Sequence, residues 1–141
     1  MTQLIKLLHD HQCSLVVLSA DGEVTTYNKK GVRDLIYLLD HEPQRLRGAS
    51  MADKVTGKAA AGLTVRAGVA QLYADVLSRQ AIPLLQAAGI RYTYGTLVDA
   101  VVIPQGDDRC PLEQIVAPAT TASEVEGLLR RHFEEMKTNQ K

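Results

Sequence analysis

The chain has 141 residues and is 45% hydrophobic, which suits one domain around one sizeable core and excludes a disordered chain. Sixteen Lys and Arg balance sixteen Asp and Glu with no basic cluster, so neither nucleic acid nor an anionic membrane is expected as the partner. No apolar run reaches the ~18 residues of a membrane span. Residues 1–10 also lack the basic-then-apolar layout of a signal peptide, so a cytoplasmic protein is expected. Cys13 and Cys110 are too few for a disulfide framework and read as free thiols there.

In chain order, Leu4, Ile5 and Leu8 fall at helical spacing and predict a short amphipathic helix over Thr2–His11. His9 and His11 stand about 200° apart on that helix and cannot share a metal from one face. Ser14–Ser19 and Glu23–Tyr27 read as two strands joined at Asp21-Gly22, a hairpin turn signal. Leu15-Val16-Val17-Leu18 has no alternation, as in a strand buried on both faces, whereas the second strand is polar and reads as an edge. Val32, Leu35, Ile36 and Leu39 form the stripe of a helix over Lys30–Asp40, ended before Pro43.

Leu46–Met51 reads as a short strand leading into Ser50-Met51-Ala52-Asp53-Lys54-Val55-Thr56-Gly57-Lys58-Ala59-Ala60-Ala61-Gly62-Leu63. In this stretch Asp53 or Thr56 is the expected N-cap of an alanine-rich helix that runs to about Arg66 and stops at Gly68. Lys54 and Lys58 then sit at the positive end of a helix dipole, an unfavourable placement that Asp53 or a bound anion would offset. Gly57 would let a ligand approach the backbone. The plainer alternative is two solvated lysines and a capped helix.

Ala70–Leu77 reads as a strand, Ser78 as a following N-cap, Pro83 as a first-turn residue and Gly89 as the stop of the next helix. With Ile90–Tyr94 as a strand, this is a parallel βαβ unit. Leu97–Ile103 is ambiguous between helix and strand, and Pro104–Arg109 is a polar loop. Cys110-Pro111-Leu112-Glu113 opens a short helix, Thr121-x-x-Glu124 is a capping box, and Val125, Leu128, Leu129, His132, Phe133 and Met136 are the apolar stripe of a last helix with a fraying charged tail. His132 reads as a packing residue, Cys13 as core and His41 as exposed. Cys110 is either a small buried residue or a thiol activated at a helix start.

The order of these elements resembles the cytidine deaminase-like fold: helix, hairpin, alanine-rich helix after a strand, then strand, helix, strand. Leu72-Tyr73-Ala74-Asp75-Val76-Leu77, the helix ending Gln86-Ala87-Ala88-Gly89-Ile90, and Tyr94-Gly95 carry that likeness. The zinc signature is missing: Lys58-Ala59-Ala60, Ser78 and Ala81 stand where the resemblance implies a metal ligand, a proton-shuttling Glu and two cysteines. Gly31-Val32-x-x-Leu35, Ala52-Asp53-Lys54-Val55-x-Gly57-Lys58-Ala59-Ala60-Ala61 and Cys110-Pro111-Leu112-Glu113 are similar to a family of small bacterial proteins of unknown function with this fold.

The resemblance implies an α/β, three-layer α/β/α sandwich with a mixed central sheet, in one domain over 1–141. It also implies a pocket at the carboxyl ends of the parallel strands, where the two helix starts meet. The expected function is binding of a small anionic or nucleotide-like molecule by Asp53, Lys54, Gly57, Lys58 and Ser78, with no metal and no cofactor. The alternative is a zinc-independent enzyme using Lys58, Asp53, Lys54 and Cys110 for group transfer or acid–base chemistry. A homodimer through a sheet edge or a helix face is a further expectation.

Overall fold

The structure, a computed structural model, describes residues 1–11, 13–28, 31–101 and 109–139. Five strands form one sheet: β1 (Leu15–Leu18), β2 (Val24–Tyr27), β3 (Ser50–Thr56), β4 (Gln71–Ser78) and β5 (Arg91–Val98). Their order is β2-β1-β3-β4-β5. The first three pair antiparallel, with Leu15 opposite both Tyr27 and Asp53, and β3, β4 and β5 run parallel. The fold is thus α/β with a mixed central sheet between helical layers.

Helix α1 (Thr2–Asp10) covers one face of the sheet, where Leu4 and Leu8 meet Cys13, Val16 and Ala52. The other face carries α2 (Gly31–His41), α4 (Lys58–Ala67) and α5 (Ile82–Ala87), and α6 (Arg109–Val116) and α7 (Ala122–Asn139) pack outside against α4. A short helix α3 (Pro43–Leu46), with Pro43 in its first turn, follows α2; the sequence reading missed it. The boundaries of α1, β1, β2 and α2 fall within a residue or two of the expected ones, whereas β4 takes up Ser78 as its last residue and α5 starts only at Ile82, after a 3-10 turn over Arg79–Ala81 that Ser78 caps. Gly22, Gly68 and Gly89 adopt positive φ at the hairpin and at the ends of α4 and α5, where the missing Cβ makes that backbone accessible. The capping box of α7 forms with a shift. The Glu124 amide donates to Thr121 Oγ1 at 3.1 Å, and the Glu124 carboxylate reaches back to the amide of Thr120 at 3.1 Å.

Two expectations change. β3 does not end at Met51 but runs on to Thr56, and α4 begins at Lys58 with Gly57 as its N-cap, so neither Asp53 nor Thr56 caps it. β5 extends through Leu97 and Val98, which resolves the ambiguous segment toward strand as far as the chain is described. In both cases pairing with a parallel neighbour decides: Val55 and Thr56 lie opposite Val76 and Leu77, and Leu97 and Val98 opposite Leu77 and Ser78. Ladder hydrogen bonds outweigh local propensity there. Residues 102–108, which hold Ile103 and most of the expected polar loop, lie outside the described residues.

Helix α4 is the inner helix of the stack. Ala59, Ala60, Ala61, Gly62, Leu63, Thr64 and Ala67 are all buried, so the alanine run serves close packing on several sides as well as helix propensity. Gly62 is where α7 comes nearest, since a Cβ there would lie 2.6 Å from Val125 Cβ. Arg66 donates to Glu126 at 2.7 Å, and Glu126 also holds Arg130, which reaches Asp40 at 2.9 Å, so a chain of ion pairs links α4, α7 and α2. Gly62→Ala should therefore lower stability by about 1–3 kcal/mol despite the higher helix propensity of alanine. Val125→Ala in the same chain should recover part of that loss, read by denaturant unfolding.

Candidate functional site

The start of α4 lies at the carboxyl end of β3, beside the carboxyl end of β4, and its first amides have no partner within the helix. Gly57 supplies no capping side chain. Glu113 of α6 supplies one instead: its carboxylate accepts from the Lys58 amide at 2.7 Å and from the Ala59 amide at 2.9 Å. The anion that this helix start favours is thus a residue of the same chain. Burial pushes the Glu113 carboxyl above the usual carboxylate range, more than the two amides and the Lys58 charge pull it down.

The neighbouring groups explain the rest of the motif. A Cβ on Gly57 would lie 2.6 Å from Glu113 Cδ, so glycine is required for that carboxylate to reach the amides. Lys58 turns its amine toward the end of α6 and donates to the Ala117 carbonyl at 2.9 Å, which is favourable at the negative end of a helix. Val32, Val55, Gly57, Ala60, Val101 and Glu113 enclose a cavity of about 10 Å³, room for a single water.

Of the residues expected at the site, Gly57 and Lys58 are at this helix start. Asp53 and Lys54 lie on β3 and are sent to opposite faces by strand alternation. Asp53 is 2% exposed and accepts from Thr56 Oγ1 at 2.8 Å, while Lys54 is exposed on the side of the sheet that Ala52 shares with α1. Ser78 is buried at the end of β4 and caps the following 3-10 turn, Arg79–Ala81, by accepting from the Gln80 amide at 3.1 Å. It does not line the cavity beside Gly57. The Cys110 side chain lies outside the described residues. Among the described residues no group of three or more His, Cys, Asp or Glu is placed to hold a metal ion.

A larger open groove, of about 360 Å³, lies along the start of α7 and is lined by Pro118, Ala119, Glu124, Gly127, Leu128 and Arg131. Sequence reasoning missed two arrangements. Glu113 read as part of the short helix opened by Cys110-Pro111-Leu112-Glu113, and nothing in local spacing marks it as the cap of a helix 55 residues earlier. On the α1 side, Asp75 Oδ1 accepts from the Tyr73 hydroxyl at 2.7 Å and lies 2.8 Å from His9 Nε2, pinning α1 to β4. The Asp75 carboxylate, and then burial, raise the Tyr73 hydroxyl above its ordinary value. Only the strand period that places Tyr73 and Asp75 on one face was legible there.

Two measurements check this assignment. Glu113→Ala and Gly57→Ala should each cost about 1–3 kcal/mol, because either one removes the carboxylate from the amides. For the same reason Gly57→Ala should cost little when Glu113 is already alanine, a coupling read from a double-mutant cycle. The raised Glu113 carboxyl sets the sign of a pH effect: folding takes up a proton, so this group's contribution is fully present below the ordinary glutamate pKa and is lost as pH rises through the folded value. Unfolding free energies measured from pH 4 to pH 8 should therefore fall more, or rise less, for the wild type than for Glu113→Gln.

Comparison with known proteins agrees with this architecture. The crystal structure of a DUF1893 family protein, TM1506 from Thermotoga maritima, superposes with a TM-score of 0.80 at 22% identity, covering 93% of this chain and 88% of that one. RibD from Acinetobacter baumannii, in form 2, gives a TM-score of 0.45 at 18% identity over 67% of this chain and 33% of its own, a likeness too loose to argue from. No curated protein matches the sequence significantly. Residues 3–133 match the family described as TM1506, domain of unknown function (DUF1893), and the chain belongs to that family.

Proposed function

We propose that this DUF1893 protein is a cytoplasmic, single-domain, non-catalytic binding or regulatory protein that takes a small anionic or nucleotide-like ligand at the start of α4. Its scaffold is of the cytidine deaminase type without the zinc site. The observation that carries the reading is the Glu113 carboxylate on the Lys58 and Ala59 amides. A helix start that holds one carboxylate has the donors for another, or for a phosphate. An incoming anion has to displace the Glu113 carboxylate, so its own contacts must outweigh the two amide hydrogen bonds that Glu113 gives up. Lys58, released from Ala117, would face the ligand as a second donor.

Among the described residues the enzyme alternative draws no support from the geometry. Asp53 and Lys54 point to opposite faces of β3, and the Lys58 amine is committed to a carbonyl. The test is a thermal-shift titration with inorganic phosphate, citrate and a nucleoside monophosphate, run with and without EDTA. At least one anion should raise the wild-type melting temperature by roughly 2–5 °C. The rise should be larger for Glu113→Gln, where the resident charge no longer competes, and absent for Lys58→Ala. No shift in any variant, a shift indifferent to both substitutions, or a shift that EDTA abolishes overturns the reading.

A further inference from the structure

The two edges of the sheet are built differently. β2, at one edge, has four residues, and Arg45 lies along it, donating to Thr25 Oγ1 at 3.1 Å and pairing with Glu23 at 3.0 Å and Glu42 at 2.6 Å. Short length and a charged cover are the usual protections of an edge. β5, at the other edge, has eight residues, Arg91-Tyr92-Thr93-Tyr94-Gly95-Thr96-Leu97-Val98, and its outer side has no strand partner among the described residues. It holds no Lys and no Pro, most of its residues are exposed, and Tyr94 is 43% exposed. A strand of that length, about 27 Å, rich in aromatic and β-branched residues, is a template for another strand.

We propose that β5 pairs antiparallel with β5 of a second copy of this chain, joining two five-stranded sheets into one of ten strands. The pairing is self-complementary in one register. Opposite residues of an antiparallel pair share a face, so a two-fold axis normal to the sheet passes through a residue that faces itself. With Gly95 on the axis, Tyr94 lies opposite Thr96, Thr93 opposite Leu97, Tyr92 opposite Val98 and Arg91 opposite Asp99. The two outermost pairs are then of opposite charge, and the aromatic rings meet β-branched residues.

Asp99 is available for this role. It lies just past the end of β5 with its side chain 93% exposed, and among the described residues it pairs with Arg79 at 2.9 Å, itself 62% exposed. Gly95 has its own reason to lack a side chain, because a Cβ there would lie 2.9 Å from the Asp75 carbonyl oxygen. A second copy suits this edge better than an unrelated peptide because both halves of the charge pattern are already on one strand.

The experiment is sedimentation velocity on the full chain from about 1 to about 500 µM, where an interface of this small size should dimerise. Arg91→Glu alone, or Asp99→Arg alone, turns two attractive pairs into two repulsive ones and should weaken the dimer roughly 10-fold or more. The double variant Arg91→Glu with Asp99→Arg should restore it. Arg79→Ala should leave the dimer in place, since Asp99 loses only an intramolecular partner. Tyr94→Cys with Thr96→Cys should cross-link covalently to a dimer under oxidised glutathione, whereas Tyr94→Cys alone should not. All these positions are exposed, and circular dichroism checks that each variant stays folded. A monomer over the whole range, a dimer indifferent to the charge reversals, a double variant as weak as the singles, or cross-linking without regard to register overturns the proposal.

Discussion

The Glu113 carboxylate on the first two amides of α4 is the contact around which the helical side of this protein is arranged. α4 begins deep in the structure, at the carboxyl ends of parallel strands, with no cap of its own. Buried amides without acceptors carry a cost comparable to a lost hydrogen bond each, so some acceptor must be brought to them. α6 brings it, and in return its terminal carbonyl at Ala117 receives the Lys58 amine. The two helices therefore satisfy each other end to end. Gly57 is the steric condition for this, because any Cβ would occupy the place of the carboxylate.

Around that junction the packing follows from small residues. The buried alanines of α4 let it sit against the sheet on one side and receive α7 on the other, and Gly62 lets Val125 come in close. Apolar contact alone would not fix the direction of α7. The Arg66–Glu126–Arg130–Asp40 chain adds that direction, with Arg66 and Arg130 holding the Glu126 carboxyl below its ordinary range against the opposing effect of burial. On the far side of the sheet a smaller cluster under α1, together with the His9–Asp75–Tyr73 contacts, completes the second helical layer.

Membership of the DUF1893 family and the superposition on the Thermotoga maritima protein agree with a sheet order that follows from pairing alone. The chemistry of the α4 start is a separate matter from the fold, because one scaffold carries many sites. What this chain displays there is a seat for negative charge with a resident occupant, flanked by one lysine and closed over by α6.

Periodicity and turn chemistry were enough to read α1, β1, β2, α2, α5 and α7, because each carries its own signal: a 3.6-residue stripe, an Asp-Gly turn, a Pro in the first turn, a capping box. They also marked the Lys58 helix start as a place that favours an anion, since the dipole argument needs only local geometry. The end of β3 was not legible, because Asp53-Lys54-Val55-Thr56 looks like a helix entry until β4 is alongside to pair with it. Nor was the identity of the anion. Glu113 lies 55 residues from Lys58, and its approach depends on the fold returning α6 to the mouth of β3. Local sequence determines which backbone conformations are cheap and which charges a helix end prefers, and only the assembled structure decides which distant side chain arrives to meet them.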